Sequence, residues 1–278
     1  MVVTRRQERD RREHETGARG SDEVVRCVLV HGFNGEPVDM CQLEDRLGGE
    51  GFATRNLLLP GHGTSPRDFA VHGWDDWFDH VLSATRAALA RGERVVLIGH
   101  SMGAGVSLAV ASQEPRVEGV VALCPPLRLN PRVRRLVALT HRVLPYIPSW
   151  GEDVRDRRGA RDRYIRKAYH LTATATIHDL FSALPRLEAA LPDVRCPALI
   201  VCARHDHVVP VRDGIATHQL VGSVEKELLV LERSYHAVTK DVERHVVFER
   251  VSRFCQRIRT GTENSGPARQ NEQNGARA

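Results

Sequence analysis

Ser101 lies between nearby glycines, in a sequence context that indicates a chemically reactive serine. The pentapeptide Gly99-His100-Ser101-Met102-Gly103 follows an apolar, β-branched run and precedes an alanine-rich segment. Strand, G-x-S-x-G and helix in that order are typical of a nucleophile elbow, a tight turn that lifts the serine hydroxyl clear of a sheet. The helix N-terminus behind the turn favours developing negative charge. The alternative is a glycine-rich turn with an ordinary N-cap serine.

A serine nucleophile needs a base within hydrogen-bond reach, and the base needs a carboxylate that orients it. Asp206 directly follows a strand predicted at 199–202, and His236 follows one predicted at 228–231. We expect both to lie near the serine, because the carboxyl ends of parallel strands meet at one edge of a sheet. Taken alone, Asp206 would be interpreted as a helix-cap or turn residue, and His236 would be interpreted as a loop or core residue. Together, the order Ser, Asp, His predicts a catalytic triad.

The same chemistry needs two N–H donors for the oxyanion. One predicted donor is the backbone N–H of Met102, directly after the nucleophile. The other is predicted in the loop His31-Gly32-Phe33, which follows the first core strand, with the Phe33 N–H as the candidate. The alternative for that loop is a simple glycine turn. We interpret His100 as structural, because it cannot easily turn toward its neighbour's hydroxyl.

No metal site is predicted. His205 and His207 flank Asp206 in an H-x-H pattern that can chelate zinc at a strand end, but no convincing third ligand is evident. The six cysteines include no C-x-x-C pair, and three lie in or beside predicted buried strands, so we expect reduced thiols. Reduced thiols and an N-terminus without an apolar secretory segment predict a cytoplasmic protein.

Alternating strands and helices are needed to position these residues. Apolar β-branched runs predict core strands, and apolar residues at i, i+3 and i+4 predict helices, most clearly over 73–91. This alternation predicts a mostly parallel sheet with helices on both faces. The 278 residues, 41% of them hydrophobic, are enough to bury a sizeable core. No apolar run is long enough to span a bilayer.

Composition divides the chain into four parts. Residues 1–22 and 260–278 are polar and non-periodic, and both are predicted to be disordered tails. Acids nearly balance bases in the first tail, which argues against nucleic-acid binding. Residues 127–185 are arginine-rich, helical in pattern and without a clear core strand, so we interpret them as an insertion laid over a core of 23–126 and 186–259. Their positive charge is compatible with weak peripheral contact with anionic lipid surfaces, but a solvated, arginine-rich helical surface explains the same composition and is the preferred interpretation.

Seven stretches of the sequence together carry a resemblance to a known family. They are LVHGFNGEP (29–37), LPGHGTSP (59–66), GWDDWFDHV (73–81), LIGHSMGAG (97–105), VEGVVALCPP (117–126), ARHDHVVP (203–210) and SYHAVTKD (234–241). In these stretches the chain resembles α/β-hydrolase carboxylesterases of the bacterial monoacylglycerol-lipase-like type. The stretches span most of residues 23–257, and as a set they are far more specific than the pentapeptide alone.

The resemblance implies an α/β-hydrolase fold with a small helical cap at about 127–185. It also implies hydrolysis of short- to medium-chain carboxylic esters, including monoacylglycerols, without a cofactor. The expected partner is therefore a small-molecule ester. The residues it implies are Ser101 as nucleophile, Asp206 as acid, His236 as base, and the amides of Phe33 and Met102 as the oxyanion hole.

Several other activities fit the same fold. Thioester hydrolysis, acyl transfer, lactone opening and hydrolytic C–C cleavage remain open, because fold alone does not decide among them. A haloalkane dehalogenase or an epoxide hydrolase is disfavoured, because those enzymes use an aspartate where Ser101 stands. From another functional class, a hydrolase-shaped ligand-binding protein with an idle triad remains an alternative. The sequence leaves the physiological substrate and the oligomeric state open.

Overall fold

A computed structural model describes residues 13–17, 24–128, 131–149, 153–156 and 170–261. At its centre is a seven-stranded sheet with the strand order β1-β3-β2-β4-β5-β8-β9, and β6 and β7 form a separate two-stranded sheet. The strands are β1 (His14–Thr16), β2 (Val25–Val30), β3 (Ala53–Leu57), β4 (Arg94–His100), β5 (Val117–Leu123), β6 (Tyr146–Pro148), β7 (Leu171–Ala173), β8 (Ala198–Ala203) and β9 (Lys226–Leu231).

Eight α-helices connect or cover these strands in the described part of the chain. They are α1 (Cys41–Gly49), α2 (Pro66–Phe69), α3 (Trp74–Ala90), α4 (Met102–Gln113), α5 (Pro131–Thr140), α6 (Thr174–Ala190), α7 (Val211–Leu220) and α8 (Arg244–Thr260). Strand β1 pairs antiparallel with β3, and every other neighbouring pair in the large sheet is parallel. The chain moves outward from β2 to β3 and then returns to the other side of β2 as β4. The carboxyl ends of β2 and β4 therefore flank a switch point, where open α/β sheets place their sites.

The sheet is buried on both faces, as a parallel sheet between two layers of helices must be. Alternate residues of β2 enter different cores. Val28 and Val30 pack in the cluster that includes α3 and α4, whereas Cys27 and Leu29 pack in the cluster that includes α1 and α8. The predicted mostly parallel sheet with helices on both faces is confirmed. None of the described helices is long and apolar enough to cross a bilayer.

The prediction of a disordered N-terminal tail over residues 1–22 is wrong at His14–Thr16, which forms the edge strand β1. Polar contacts hold it. The Arg55 Nη2 atom lies 2.9 Å from Glu13 Oε1, and His14 Nε2 lies 2.7 Å from Glu44 Oε2. Hydrophobic periodicity does not register a short edge strand whose side chains form ion pairs. The rest of the expected tail, residues 1–12 and 18–22, lies outside the described residues.

The segment expected as a helical cap at 127–185 is not purely helical. Besides α5 and most of α6 it contains β6 and β7, which pair antiparallel as a short ribbon. Helix α6 also continues to Ala190, past the expected boundary at 185, and its Leu184 and Leu187 are buried in the main core. A change in composition thus does not coincide with the end of an element. Parts of this segment, residues 129–130, 150–152 and 157–169, lie outside the described residues.

The expected C-terminal tail begins where α8 ends. The helix closes at Thr260, and Gly261 follows with a left-handed φ of 65°, the usual conformation of a residue after a helix C-terminus. Residues 262–278 of the expected tail lie outside the described residues.

Candidate active site

Ser101 lies in the sharp turn between β4 and α4. Its φ and ψ are 55° and −122°, a strained conformation for a residue with a side chain. Two glycines make the turn sterically feasible. A Cβ on Gly99 would lie 2.2 Å from the Gly103 carbonyl oxygen, and a Cβ on Gly103 would lie 2.3 Å from the His31 carbonyl oxygen. Neither position has room for a methyl group, so the backbone itself accounts for the glycine framing of the serine.

Three side chains from separate strand ends form one hydrogen-bonded row at this turn. His236, in the loop after β9, places its Nε2 atom 2.9 Å from the Ser101 Oγ atom. Its Nδ1 atom lies 2.7 Å from Asp206 Oδ2, in the loop after β8. The side chains of His236 and Asp206 are only 11% and 1% exposed. When Nδ1–H donates to the carboxylate, Nε2 is left as an acceptor for the serine hydroxyl.

The second oxygen of Asp206 is also fully engaged. Its Oδ1 atom accepts hydrogen bonds from the amides of Val208 at 2.8 Å and Val209 at 2.7 Å. Burial alone would raise the pKa of this carboxyl, but the hydrogen bond from His236 and the two amides outweigh it and lower the pKa. The carboxylate is therefore ionised at neutral pH, which suits a group that orients and stabilises an imidazolium.

His100 contacts the backbone of His236. Its Nε2 atom lies 3.0 Å from the carbonyl oxygen of His236. Burial, and then the neighbouring His236, lower the pKa of His100 to about 4, so the ring is neutral at pH 7. A neutral ring whose Nε2–H donates to that carbonyl holds the backbone of His236.

The loop after β2 lies against the nucleophile. A Cβ on Gly32 would be 3.2 Å from the Ser101 Cβ atom, so the chain passes this point at close range. The Phe33 ring packs edge-on against Phe69, with centroids 5.1 Å apart. In the described part of the chain, neither the Phe33 amide nor the Met102 amide has a hydrogen-bond acceptor. Two uncommitted donors beside a serine can stabilise a negatively charged oxygen.

The cap is tied to this loop and to the core. Asn34 donates from Nδ2 to the Thr172 hydroxyl oxygen on β7 at 2.6 Å, and Ser149 Oγ lies 2.8 Å from the same oxygen. The Trp74 amide donates to Asp179 Oδ2 on α6 at 2.6 Å. The ribbon β6–β7 thus lies beside the residues expected to form the oxyanion hole.

One group in the described residues has the composition of a metal site. Donor atoms of Cys124, Asp206 and His236 all lie within 4.8 Å of one another. Burial, and then the charge of Asp206, raise the pKa of the Cys124 thiol well above its usual value, so the thiol is protonated. The aspartate and the histidine are already bonded to each other. Two of the three members of this set therefore belong to the hydrogen-bonded row.

One histidine of the H-x-H pattern makes a contact with the cap, which differs from the zinc site considered in the sequence analysis. His207 Nδ1 lies 2.9 Å from Asp153 Oδ1, and His205 is exposed. Among the residues that the structure describes, neither histidine belongs to a group of three donors that could hold a metal. His207 instead joins the loop after β8 to the cap.

Two aspartates beside the row are absent from the residues that the sequence singled out. Asp153, in the cap, accepts from the amides of His207 and His236 at 3.1 and 3.2 Å. Asp241, completely buried, accepts from the Tyr235 amide at 2.7 Å. Asp241 lies in the family-like stretch SYHAVTKD, which is a signal of its importance. No pattern in the sequence connects Asp153 with positions more than fifty residues away.

Comparison with known proteins identifies relatives of most of the chain. A family profile described as "Serine aminopeptidase, S33" (Hydrolase_4) matches residues 22–243. The chain is 29% identical over 230 residues to a protein named "Thermostable monoacylglycerol lipase" from Bacillus sp. (strain H-257), which covers 83% of this chain and 90% of that protein. It is 24% identical over 241 residues to "Carboxylesterase" from Bacillus subtilis (strain 168), which covers 86% and 95%.

Solved structures agree with these relatives. One, from work on LipS and LipT, two metagenome-derived lipolytic enzymes, is similar with a TM-score of 0.81 and 29% identity, over 89% of this chain and 98% of that chain. A soluble variant of monoglyceride lipase from Saccharomyces cerevisiae is similar in fold, with a TM-score of 0.76 and 18% identity over 88% and 91%. These similarities confirm the predicted α/β-hydrolase fold and the resemblance stated from the sequence.

Proposed function

This chain belongs to the serine aminopeptidase S33 (Hydrolase_4) family, and from that premise we propose that it is a serine ester hydrolase with Ser101, His236 and Asp206 as its catalytic triad. The observation that carries the proposal is the continuous row of hydrogen bonds. His236 lies 2.9 Å from the serine oxygen on one side and 2.7 Å from the aspartate on the other. Such a row gives the serine a base and gives the base an orienting charge.

Acylation begins when the Ser101 oxygen attacks the ester carbonyl carbon and passes its proton to His236 Nε2. The carbonyl π electrons move to the oxygen, and the amides of Phe33 and Met102 donate to the resulting oxyanion. When the carbonyl re-forms, the ester C–O bond breaks. The leaving alcohol takes the proton from His236, and an acyl-serine remains.

Deacylation uses the same groups with water as the nucleophile. His236 accepts a proton from water while the water oxygen attacks the acyl carbon. The second tetrahedral intermediate collapses, the bond to the Ser101 oxygen breaks, and that oxygen takes the proton back from His236. A carboxylic acid leaves, so the cycle consumes one ester and one water and needs no further reactant.

We assign short- to medium-chain acyl esters, including monoacylglycerols, as the substrate class. The support is the similarity to proteins named monoacylglycerol lipase and carboxylesterase. The family description instead names an aminopeptidase, which would cleave an amide. Two relatives that align over more than four-fifths of this chain bear esterase or lipase names, which favours an alcohol over an amine as the leaving group.

The nucleophile is tested with p-nitrophenyl butyrate. Wild-type protein should hydrolyse it, and Ser101→Ala should lower kcat by at least about a thousandfold, because removing the nucleophile leaves only binding and the oxyanion donors. Ser107→Ala, at a buried serine in the helix that follows the turn, is the matched control. A Ser101→Ala enzyme that retains wild-type turnover would remove this residue from the mechanism.

Other substrates and one probe separate the remaining functions. A series of p-nitrophenyl and glycerol esters tests acyl length, and an aminoacyl p-nitroanilide tests peptidase activity. Product analysis in the presence of alcohols separates hydrolysis from acyl transfer. A fluorophosphonate should label Ser101 rapidly. A folded protein that never labels would instead be a ligand-binding protein with an idle triad.

The proposal also covers the cellular compartment of the enzyme and the surface that its cap contacts. All six cysteines are free thiols, which suits the reducing cytoplasm in which we place the enzyme. We also assign a weak contact between the cap and anionic lipid surfaces, where acylglycerol substrates partition. Its support is an exposed apolar face on α5 among arginines, with Leu139 80% exposed and the nearby Val143 81% exposed.

A further inference from the structure

A carboxylate of the cap, Asp153, lies across the two loops that carry the acid and the base. Its Oδ2 atom accepts from the amide of His236 at 3.2 Å and from the amide of His207 at 3.1 Å. Its Oδ1 atom lies 2.9 Å from His207 Nδ1, and its own carbonyl accepts from the Ala237 amide at 3.0 Å. One residue thus bonds to the base itself and to the direct neighbour of Asp206.

The arrangement matters because neither loop belongs to the regular sheet. Asp206 and His236 both follow the last residues of their strands, and the 2.7 Å hydrogen bond between their side chains depends on the spacing of the two loops. Loops are the more mobile parts of a fold. The Asp153 carboxylate bonds to the backbone of both loops at once.

A second aspartate fixes the cap segment that carries Asp153. The buried Asp241 carboxylate accepts from the amides of Arg155 and Asp156, both at 3.0 Å. It also accepts from the Tyr235 amide at 2.7 Å, one residue before the base. The segment 153–156 is therefore bonded at both ends to the loop that holds His236.

We propose that Asp153 is a positioning residue of the triad, a cap carboxylate that holds the loops of His236 and Asp206 at their working distance. The inference rests on the proposed function, because it assigns Asp153 an effect on catalysis through that triad. It makes the cap part of the catalytic apparatus as well as a cover over the site. It also predicts that Asp153 affects the rate of the chemical step and leaves the binding of small esters largely unchanged.

The test compares Asp153→Asn and Asp153→Ala with wild-type enzyme on p-nitrophenyl butyrate, with rates expressed per phosphonate-titrated site. The asparagine keeps the volume but removes the charge and replaces one accepting oxygen with an NH₂ group, which cannot accept a hydrogen bond. We expect kcat to fall about tenfold in Asp153→Asn and about a hundredfold in Asp153→Ala, because small misplacements of catalytic groups have effects of this size. KM should change by less than about twofold.

Two further measurements separate positioning from general stability. Asp193→Asn, at an exposed aspartate in the turn before β8, is the matched control and should behave like the wild type. The downfield proton resonance of the hydrogen bond between His236 Nδ1 and Asp206 should shift or broaden in both Asp153 variants. If Asp153→Ala does not fold, the conservative Asp153→Asn carries the test.

Two outcomes would overturn the inference. One is a kcat within about twofold of wild type in the Asp153 variants together with an unchanged resonance. The other is a loss confined to KM, which would place Asp153 in substrate binding. Failure of the proposed function looks different, because Ser101→Ala would then remain active. An inactive Ser101→Ala beside fully active Asp153 variants would reject the positioning role alone.

Discussion

Among single residues, His100 connects the active site with the stability of the fold. It is buried, and burial together with the adjacent His236 lowers its pKa from 6.5 to about 4. The folded protein therefore keeps this ring neutral at a pH where an unfolded chain would protonate it. Between those two values the unfolded state binds more protons, so acidification favours unfolding.

We expect the free energy of unfolding to fall as pH is lowered from 7 to 5.5, with a contribution of about 1 kcal/mol from His100. The loss should continue until pH approaches 4, below which the ring is protonated in both states. His100→Gln, which keeps a donor for the His236 carbonyl, should remove that contribution. Urea titrations at pH 7 and 5.5 measure it, with the exposed His205→Gln as control. An equal pH dependence in His100→Gln and wild type would contradict this account.

Residues differ in how visible their roles are in the sequence. Ser101 is framed by glycines, and His236 and Asp206 directly follow apolar strands, so local patterns indicated all three, and the structure brings them together. Asp153 has no such marker. It is an aspartate in an arginine-rich segment, and its importance arises from contacts with residues 54 and 83 positions away. Pairings across such distances depend on the tertiary fold, which local patterns do not encode.

At the level of elements, the elbow depends on close contact between two pieces of backbone. The first turn of α4 passes so near the end of β2 that a Cβ on Gly103 would lie 2.3 Å from the His31 carbonyl oxygen and 2.5 Å from that of Val30. Backbone atoms cannot rotate away as a side chain can. Any side chain at this position must therefore push the helix and the strand apart.

Gly103→Ala should lower the free energy of unfolding by at least about 2 kcal/mol, since overpacking here displaces backbone. It should also lower kcat, because the same contact places Ser101. Gly48→Ala is the matched control, a helical glycine in α1 where a Cβ would meet nothing within 4 Å. That change should stabilise the protein by up to about 1 kcal/mol. Urea titration and esterase assays measure both variants, and equal stability in the two would contradict the steric argument.

The elements that the sequence predicted best are strands with a continuous apolar run. Strand β5 occupies Val117–Leu123, as its apolar run predicts, and strand β9 occupies Lys226–Leu231. The element it missed, β1, is a polar edge strand whose Glu15 forms an ion pair with Arg26. The ribbon β6–β7 was missed because three-residue strands are too short to show alternation. The presence or absence of an apolar run therefore accounts for both the successes and the failures.

Across the whole molecule, the sheet and the cap meet at one edge. The switch point between β2 and β4 places the Phe33 loop beside Ser101, and the crossover between β5 and β8 contains the cap. The cap in turn contacts the Phe33 loop through Asn34 and the loops of Asp206 and His236 through Asp153. Helix α5 of the cap carries the exposed Leu139.

The lipid contact is tested by sedimentation with vesicles of phosphatidylglycerol or phosphatidylcholine. Wild type should bind the anionic vesicles more tightly, and added salt should weaken that binding, because the arginines of the cap contribute through screened charge. Replacing both apolar residues, Leu139→Asp with Val143→Asp, should weaken binding about tenfold by removing apolar surface that inserts at the interface. Val224→Asp is the matched control, since this valine is 97% exposed and lies far along the chain from α5.

The control separates the effect of added negative charge from the effect of removing apolar surface. Added negative charge alone would weaken binding to anionic vesicles wherever it is placed, so Val224→Asp measures that general effect per charge. Any further loss in the double variant belongs to the exposed apolar side chains of Leu139 and Val143. Turnover of p-nitrophenyl butyrate in free solution should be unchanged in all variants, because Leu139 and Val143 are more than three-quarters exposed and are not among the residues proposed for catalysis. Equal binding by the double variant and the control, once corrected for charge, would show that the cap does not use this face to meet lipid.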